Sequence, residues 1–316
     1  MRTYLARRLA QAVFVLWAAF TLSFAVLYLL PGDPVSIMAA GGGETNDVSP
    51  EQIAELKKAY GLDKPVIAQY GTQLWHAVQG DFGSSVQSGD EVGHLIATSL
   101  PATLELTSAA LLLALVLGGG VALLGTYTRW RWLRQALLSL PALGVSAPTF
   151  LVGLVLVQLF SFRWGLLPAI GNEGFEGLVL PVITLSLPAA AVIAQVFAKS
   201  LRTTLAEPYV ETALAKGASR ARVHFRHATR NASIPPLTVL GMLVGNLLAG
   251  SVVVETVFSR TGVGRITATA VSAQDIPVVQ GLVVFGALVF VLANLAIDLV
   301  YPLLDPRITT AGVVAP

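Results

Sequence analysis

The chain has 316 residues, 54% hydrophobic and only 12% charged, with a mean hydropathy of +0.71. Soluble domains carry about 25% charged residues, so this composition excludes one and describes an integral membrane protein. The formal charge of +2 is no nucleic-acid signal, because the basic residues are dispersed between apolar runs, and the absence of cysteine excludes disulfides, thiolate metal sites and thiol redox chemistry.

Six apolar runs are long enough to cross a hydrocarbon core about 30 Å thick. They lie at 9–30, 106–125, 136–160, 178–198, 234–258 and 276–302, and predict an all-α membrane protein with six transmembrane helices. Basic residues before the first run resemble a signal peptide. That run ends in Leu30-Pro31-Gly32-Asp33 rather than a small-residue cleavage site, which predicts a retained first helix.

Residues 31–99 form the longest segment between runs and are expected to be extracytoplasmic, between residues 1–30 and a five-helix core at 100–316. Ser49-Pro50-Glu51-Gln52 has a capping-box pattern, followed by Ile53, Leu56 and Tyr60 at helical spacing and a closing Gly61. A second short helix is predicted from Pro65, with Ile67, Tyr70, Leu74 and Val78 on one face before Gly80. The two helices either lie on the membrane surface or form a platform for an external partner. Pro141, Pro148, Pro181 and Pro188 fall inside spans and predict kinks. Gly241 and Gly245 form a GxxxG in the fifth span, a packing motif for a partner helix.

With the N-terminus inside, fourteen of the twenty Lys and Arg residues fall on one side, leaving Lys57, Lys58, Lys64, Arg163, Arg260 and Arg265 outside. The bias predicts cytoplasmic termini and a cytoplasmic basic island at 207–236, within a loop at 203–233. In the island, Glu207-Pro208 is a helix start, an acidic residue followed by proline at the first helical position. Tyr209, Val210, Ala213 and Leu214 form an apolar face, Ala213 and Ala215 keep the helix slim, and Gly217 is placed to end it. A basic helix at 219–232 follows. Such a slim helix between two spans fits a groove of a soluble protein, whereas an ordinary basic loop on anionic lipid explains the arginines but not the Ala, Gly and Pro spacing.

Charges within spans are costly and face cavities or partners. Glu255 at the end of the fifth span is either part of an outer gate or a structural ion pair with Arg265, and Asn246 and Gln195 are further pore candidates. Glu105 marks the outer boundary of the second span, Asp298 is expected to be structural, and Lys199 and Arg202 extend towards headgroups. His224 and His227 stand three apart but lack a third ligand, so they are expected to face solvent or headgroups rather than zinc. Asn231-Ala232-Ser233 is a glycosylation sequon on the predicted cytoplasmic side and is discounted.

The island, Glu211-Thr212-Ala213, Leu214-Ala215-Lys216, Gly217 and then Ile234-Pro235, resembles the Glu-Ala-Ala signature of ATP-binding-cassette importer permeases. Further landmarks look like the dipeptide/oligopeptide/nickel branch, in the order of its first-permease (B-type) subfamily. They are Pro31-Gly32-Asp33-Pro34, Gly80-Asp81-Phe82-Gly83-Ser84-Ser85, Leu100-Pro101-Ala102-Thr103-Leu104-Glu105-Leu106, Glu255-Thr256-Val257-Phe258 with Gly262-Val263-Gly264-Arg265, and Leu304-Asp305-Pro306-Arg307. The chain departs from the branch at Glu211 and Leu214, where arginines are usual.

The resemblance implies a type I importer fold in a bacterial plasma membrane, with Glu207, Pro208, Tyr209, Val210, Glu211, Thr212, Ala213, Leu214, Ala215, Lys216 and Gly217 as the coupling helix. It implies a second homologous permease, two ATPase subunits carrying ATP and Mg, an external substrate-binding protein, and peptide cargo, with nickel or glutathione as alternatives. This chain has no GxxxxGK[ST], so no catalysis of its own is expected. An ion-gradient-driven transporter or channel is the contrasting class, but the spans show no clear repeat and the charges lie near span ends. An intramembrane enzyme lacks a nucleophile or metal constellation.

Overall fold

Helices carry most of the described residues. The computed structural model describes residues 2–29 and 65–304, with side chains for 7–27 and 65–296. The helix expected from Ser49 to Gly61, the Pro31-Gly32-Asp33-Pro34 and Asp305-Pro306-Arg307 landmarks and the Asp298 side chain lie outside these residues. In order the helices are α1 (Arg2–Leu29), α2 (Val66–Val78), α3 (Val92–Tyr127), α4 (Arg131–Ser146) and α5 (Thr149–Leu156), which widens into a π-helix at Val157–Arg163. Then follow α6 (Glu176–Leu205), α7 (Pro208–Ala215), α8 (Arg220–Arg222, π-helical over Val223–Ala228, closing at Thr229–Ala232), α9 (Ile234–Val257), α10 (Val263–Ser272) and α11 (Ile276–Leu304).

Among the described residues, five helices, α1, α3, α6, α9 and α11, are long and apolar enough to cross a membrane. The third predicted span is not one rod: α4 and α5 meet at a 102° bend. Pro148 brings no N–H and disfavours helical backbone in the residue before it, and Ala147 is extended at ψ 125°. The other span prolines, Pro141 in α4 and Pro181 and Pro188 in α6, are carried inside their helices. The second span is the latter part of α3, whose 36 residues extend about 54 Å, well beyond one hydrocarbon core.

The chain divides into two compact units. The first comprises residues up to Thr103 together with Thr261–Leu292. In it α2 packs on α1 through Tyr70, whose ring lies 5.7 Å from Phe20 and 5.3 Å from Phe24 and whose hydroxyl meets the Thr21 hydroxyl at 2.9 Å. Of the apolar face expected on α2, Ile67 and Val78 remain exposed. The Gly80–Ser85 landmark is a turn: Asp81 Oδ1 accepts the Gly83 N–H at 2.9 Å, and the Ser85 hydroxyl donates to the buried Asp275 at 2.5 Å. Val92, Ile96, Ala270, Val278 and Leu282 form its core, and Thr103 Oγ1 receives the Val263 N–H at the start of α10.

The second unit, Leu104–Arg260 with Ala293–Pro316, is built around α6. Of the apolar stretch of α6, 72% is buried, against 17–33% in the other four long helices. Small residues let neighbours approach it closely. A β-carbon at Gly118 of α3 would lie 2.5 Å from the Ala190 carbonyl oxygen, and one at Gly250 of α9 would lie 2.9 Å from the Leu185 side chain.

Candidate functional site

The island folds as α7 and α8. Glu207 is extended, Pro208 occupies the first helical position, and α7 ends in a Schellman motif. In that motif the Gly217 N–H bonds the Leu214 carbonyl at 2.9 Å and the Ala218 N–H bonds the Ala213 carbonyl at 3.1 Å. Gly217 has φ +84°, the left-handed conformation glycine adopts without cost, and nothing lies within 4 Å of where a β-carbon would stand. The face expected on α7 is divided. Val210 is buried, whereas Tyr209 and Leu214 are exposed beside Glu207, Glu211, Thr212, Ala215 and Lys216, with Ala213 between.

A hydrogen bond ties α7 to α8, and a cap opens α8 itself. The Tyr209 hydroxyl accepts the Asn231 side-chain amide at 3.2 Å, and Ser219 caps α8 by accepting the Arg222 N–H at 3.3 Å. Ala228 and Ala232 of α8 are fully buried in a cluster with Ala122, Phe197, Ala198 and Leu201, which joins the island to α3 and α6. Arg220 reaches back to α3, donating to the Tyr127 carbonyl at 2.5 Å with its guanidinium 5.0 Å from the Tyr127 ring centre.

His224 corrects the sequence reading. It is only 3% exposed rather than facing solvent or headgroups. Its ring lies against Tyr127 and Phe225 at 5.3 and 4.9 Å, and Nε2 is 3.4 Å from the Thr126 hydroxyl. Burial lowers its pKa, a backbone hydrogen bond to Leu123 partly offsets this, and the Arg220 charge lowers it further, which favours the neutral imidazole. His227 is exposed. Nothing in the spacing of the histidines signals this difference, because the pocket is built by α3, about a hundred residues earlier.

At the far end of α9, Glu255 is 1% exposed, and its carbonyl accepts the Arg260 N–H at 2.8 Å. Arg260, which charge counting treats as one more outside cation, is also 1% exposed. Its guanidinium donates to the carbonyls of Gly177 at 3.2 Å and Gly171 at 3.4 Å and pairs with Glu105 at 3.4 Å, while Nε has no partner among the described residues. The sequence cue was an arginine two residues past the Glu-Thr-Val-Phe landmark. In the first unit, Arg265 is exposed and lines a cavity of about 370 Å³ with Ser85, Ser88, Thr269 and Asp275. Asn246 is exposed on α9, and Gln195 is exposed on α6 beside Lys199 and Arg202. These pore candidates thus do not share one surrounding: Glu255 is enclosed, and Arg265, Asn246 and Gln195 are open.

Residues 95–310 match the family described as binding-protein-dependent transport system inner membrane component, and residues 1–107 match the N-terminal family of the same membrane components. The chain is 35% identical to the glutathione transport system permease protein GsiC of Escherichia coli (strain K12) over 309 residues, 98% of this chain and 99% of that protein. It is likewise 35% identical to GsiC of Salmonella typhi over 308 residues, with the same coverage. Among solved structures, inward facing MetNI methionine ABC transporter chains share the fold at TM-scores of 0.52 and 0.53, with 18% and 17% identity, over 67% of this chain and 96% of theirs.

Proposed function

Because the chain belongs to the binding-protein-dependent transport system inner membrane components, as a permease subunit of an ATP-binding-cassette importer, we propose that it imports small peptides and that α7 couples it to an ATPase. The glutathione permeases are relatives over nearly the full length, and glutathione is itself a small anionic peptide, so the proposed cargo class includes it. In this reading both termini and the island are cytoplasmic and residues 31–99 face outside. A second, homologous permease completes the pore, an external binding protein delivers the solute, and two ATPase subunits hold ATP and Mg.

The geometry of α7 supports coupling more than any other single observation. A short helix anchored by Val210 and closed at Gly217 leaves Tyr209, Glu211 and Leu214 outward for a partner groove. Closure of the ATPases would displace α7 and, through Ala228 and Ala232, load the ends of α3 and α6. Glu255, Arg265, Asn246 and Gln195 are the proposed pore and outer-gate positions.

Uptake of dipeptides and glutathione by vesicles holding the assembled importer tests this reading. Uptake that needs enclosed ATP and survives ionophores is expected; uptake that follows the ion gradient and ignores ATP overturns it. Identifying the solute that co-purifies with the binding protein separates peptide, glutathione and nickel cargo.

A further inference from the structure

We propose that the groove between α4 and α6 holds one anionic phospholipid, with its phosphodiester at Lys199 and Arg202 and an acyl chain along the bend after α4. Two cavities adjoin there. The larger, about 380 Å³, is lined by residues such as Leu140, Leu143, Val152, Leu187 and Ala191, carries no charged group, and has Thr149 and Thr184 as its only hydroxyls. The smaller, about 290 Å³, shares Pro141 and Ala194 with it and ends on Gln195, Lys199, Arg202 and Thr203, so a lipid seated here takes Gln195 out of the proposed pore set. No carboxylate lines either cavity, and neither cation has an acidic partner among the described residues.

This polarity gradient selects the occupant. A hydrophilic solute finds no partner in the apolar cavity, and a purely apolar helix leaves two cations unanswered; one anion joined to a long hydrocarbon tail satisfies both ends. The dimensions agree. Leu187 and Arg202 stand about 22 Å apart along α6 at 1.5 Å per residue, which is half of a bilayer about 40–45 Å thick with its headgroups. Exposed Trp130 and Trp132, with ring centres 6.2 Å apart, lie at the start of α4, towards the cationic end of the groove. Amphipathic rings of this kind stand at headgroup level.

Native mass spectrometry of the full-length chain in its importer assembly tests the proposal, with phosphatidylglycerol, phosphatidylcholine and inorganic phosphate as probes. One phosphatidylglycerol retained per chain is expected, preferred over phosphatidylcholine by at least about fivefold. The pair Lys199→Gln and Arg202→Gln is expected to erase that preference, and Lys199→Arg to keep it. Equal retention of the two lipids by the unsubstituted chain overturns the proposal without recourse to any variant. So does a preference that survives the double substitution, binding of inorganic phosphate in place of lipid, or an assembly in which the second permease fills the groove and no lipid stays. ATP-driven uptake measured on the same preparation reports on the importer reading separately, because it can persist when no lipid is retained.

Discussion

Gly217 holds a conformation that a β-carbon disfavours by about 1–2 kcal/mol, and the surrounding space is open, so the cost of replacing it is one of backbone angle alone. Gly217→Val is therefore expected to loosen the end of α7 and lower coupled transport and substrate-stimulated ATP hydrolysis, while membrane insertion is kept. Gly217→Asn, which tolerates the left-handed region, is expected to retain most of the coupling. Comparing transport and ATP hydrolysis in the two variants checks this, and equal, undiminished coupling in Val and Asn counts against the cap. Pro208 and Gly217 were legible in the sequence because both act on their own backbone angles. His224 and Arg260 were not, because their burial depends on Tyr127 and on the Gly171 and Gly177 carbonyls, about 80–100 residues away along the chain.

The spans were legible because length and apolarity are set by the bilayer, but their continuity was not. A hydropathy window reads through 136–160 without a break, whereas Pro148 turns the backbone there by 102°. Pro181 and Pro188, equally visible in the sequence, leave α6 a single helix, so proline alone does not tell a break from a tolerated kink. The central place of α6 is a packing fact of the same kind. Gly118→Val is expected to push α3 from α6 and cost about 1–3 kcal/mol, because its β-carbon would collide with the Ala190 carbonyl oxygen. Gly119→Ala, beside it on an open face, is expected to be neutral. Thermal unfolding of the two variants in detergent checks this difference, and similar midpoints would mean that α3 and α6 do not meet so closely.

At the scale of the whole molecule, the proposed orientation follows from the sorting of fourteen basic residues to one side. A chain without cysteine allows a direct check, since any single introduced thiol is unique. Thr212→Cys on α7 is expected to resist a membrane-impermeant thiol reagent in intact cells and react after lysis, and Gln87→Cys is expected to react before it; the reverse pattern inverts the topology. By itself the sequence determined the membrane class, the positions of the spans, the family landmarks and the start and stop of α7. These depend on composition, short-range spacing and local backbone chemistry. Only the tertiary structure decided that the third span is bent, that α6 is the helix others pack around, that Val210 turns inward while Tyr209 and Leu214 turn out, and that His224, Glu255 and Arg260 are enclosed. The physical reason is that burial is a relation between distant segments, and no spacing along a single run of residues encodes the neighbour that covers it.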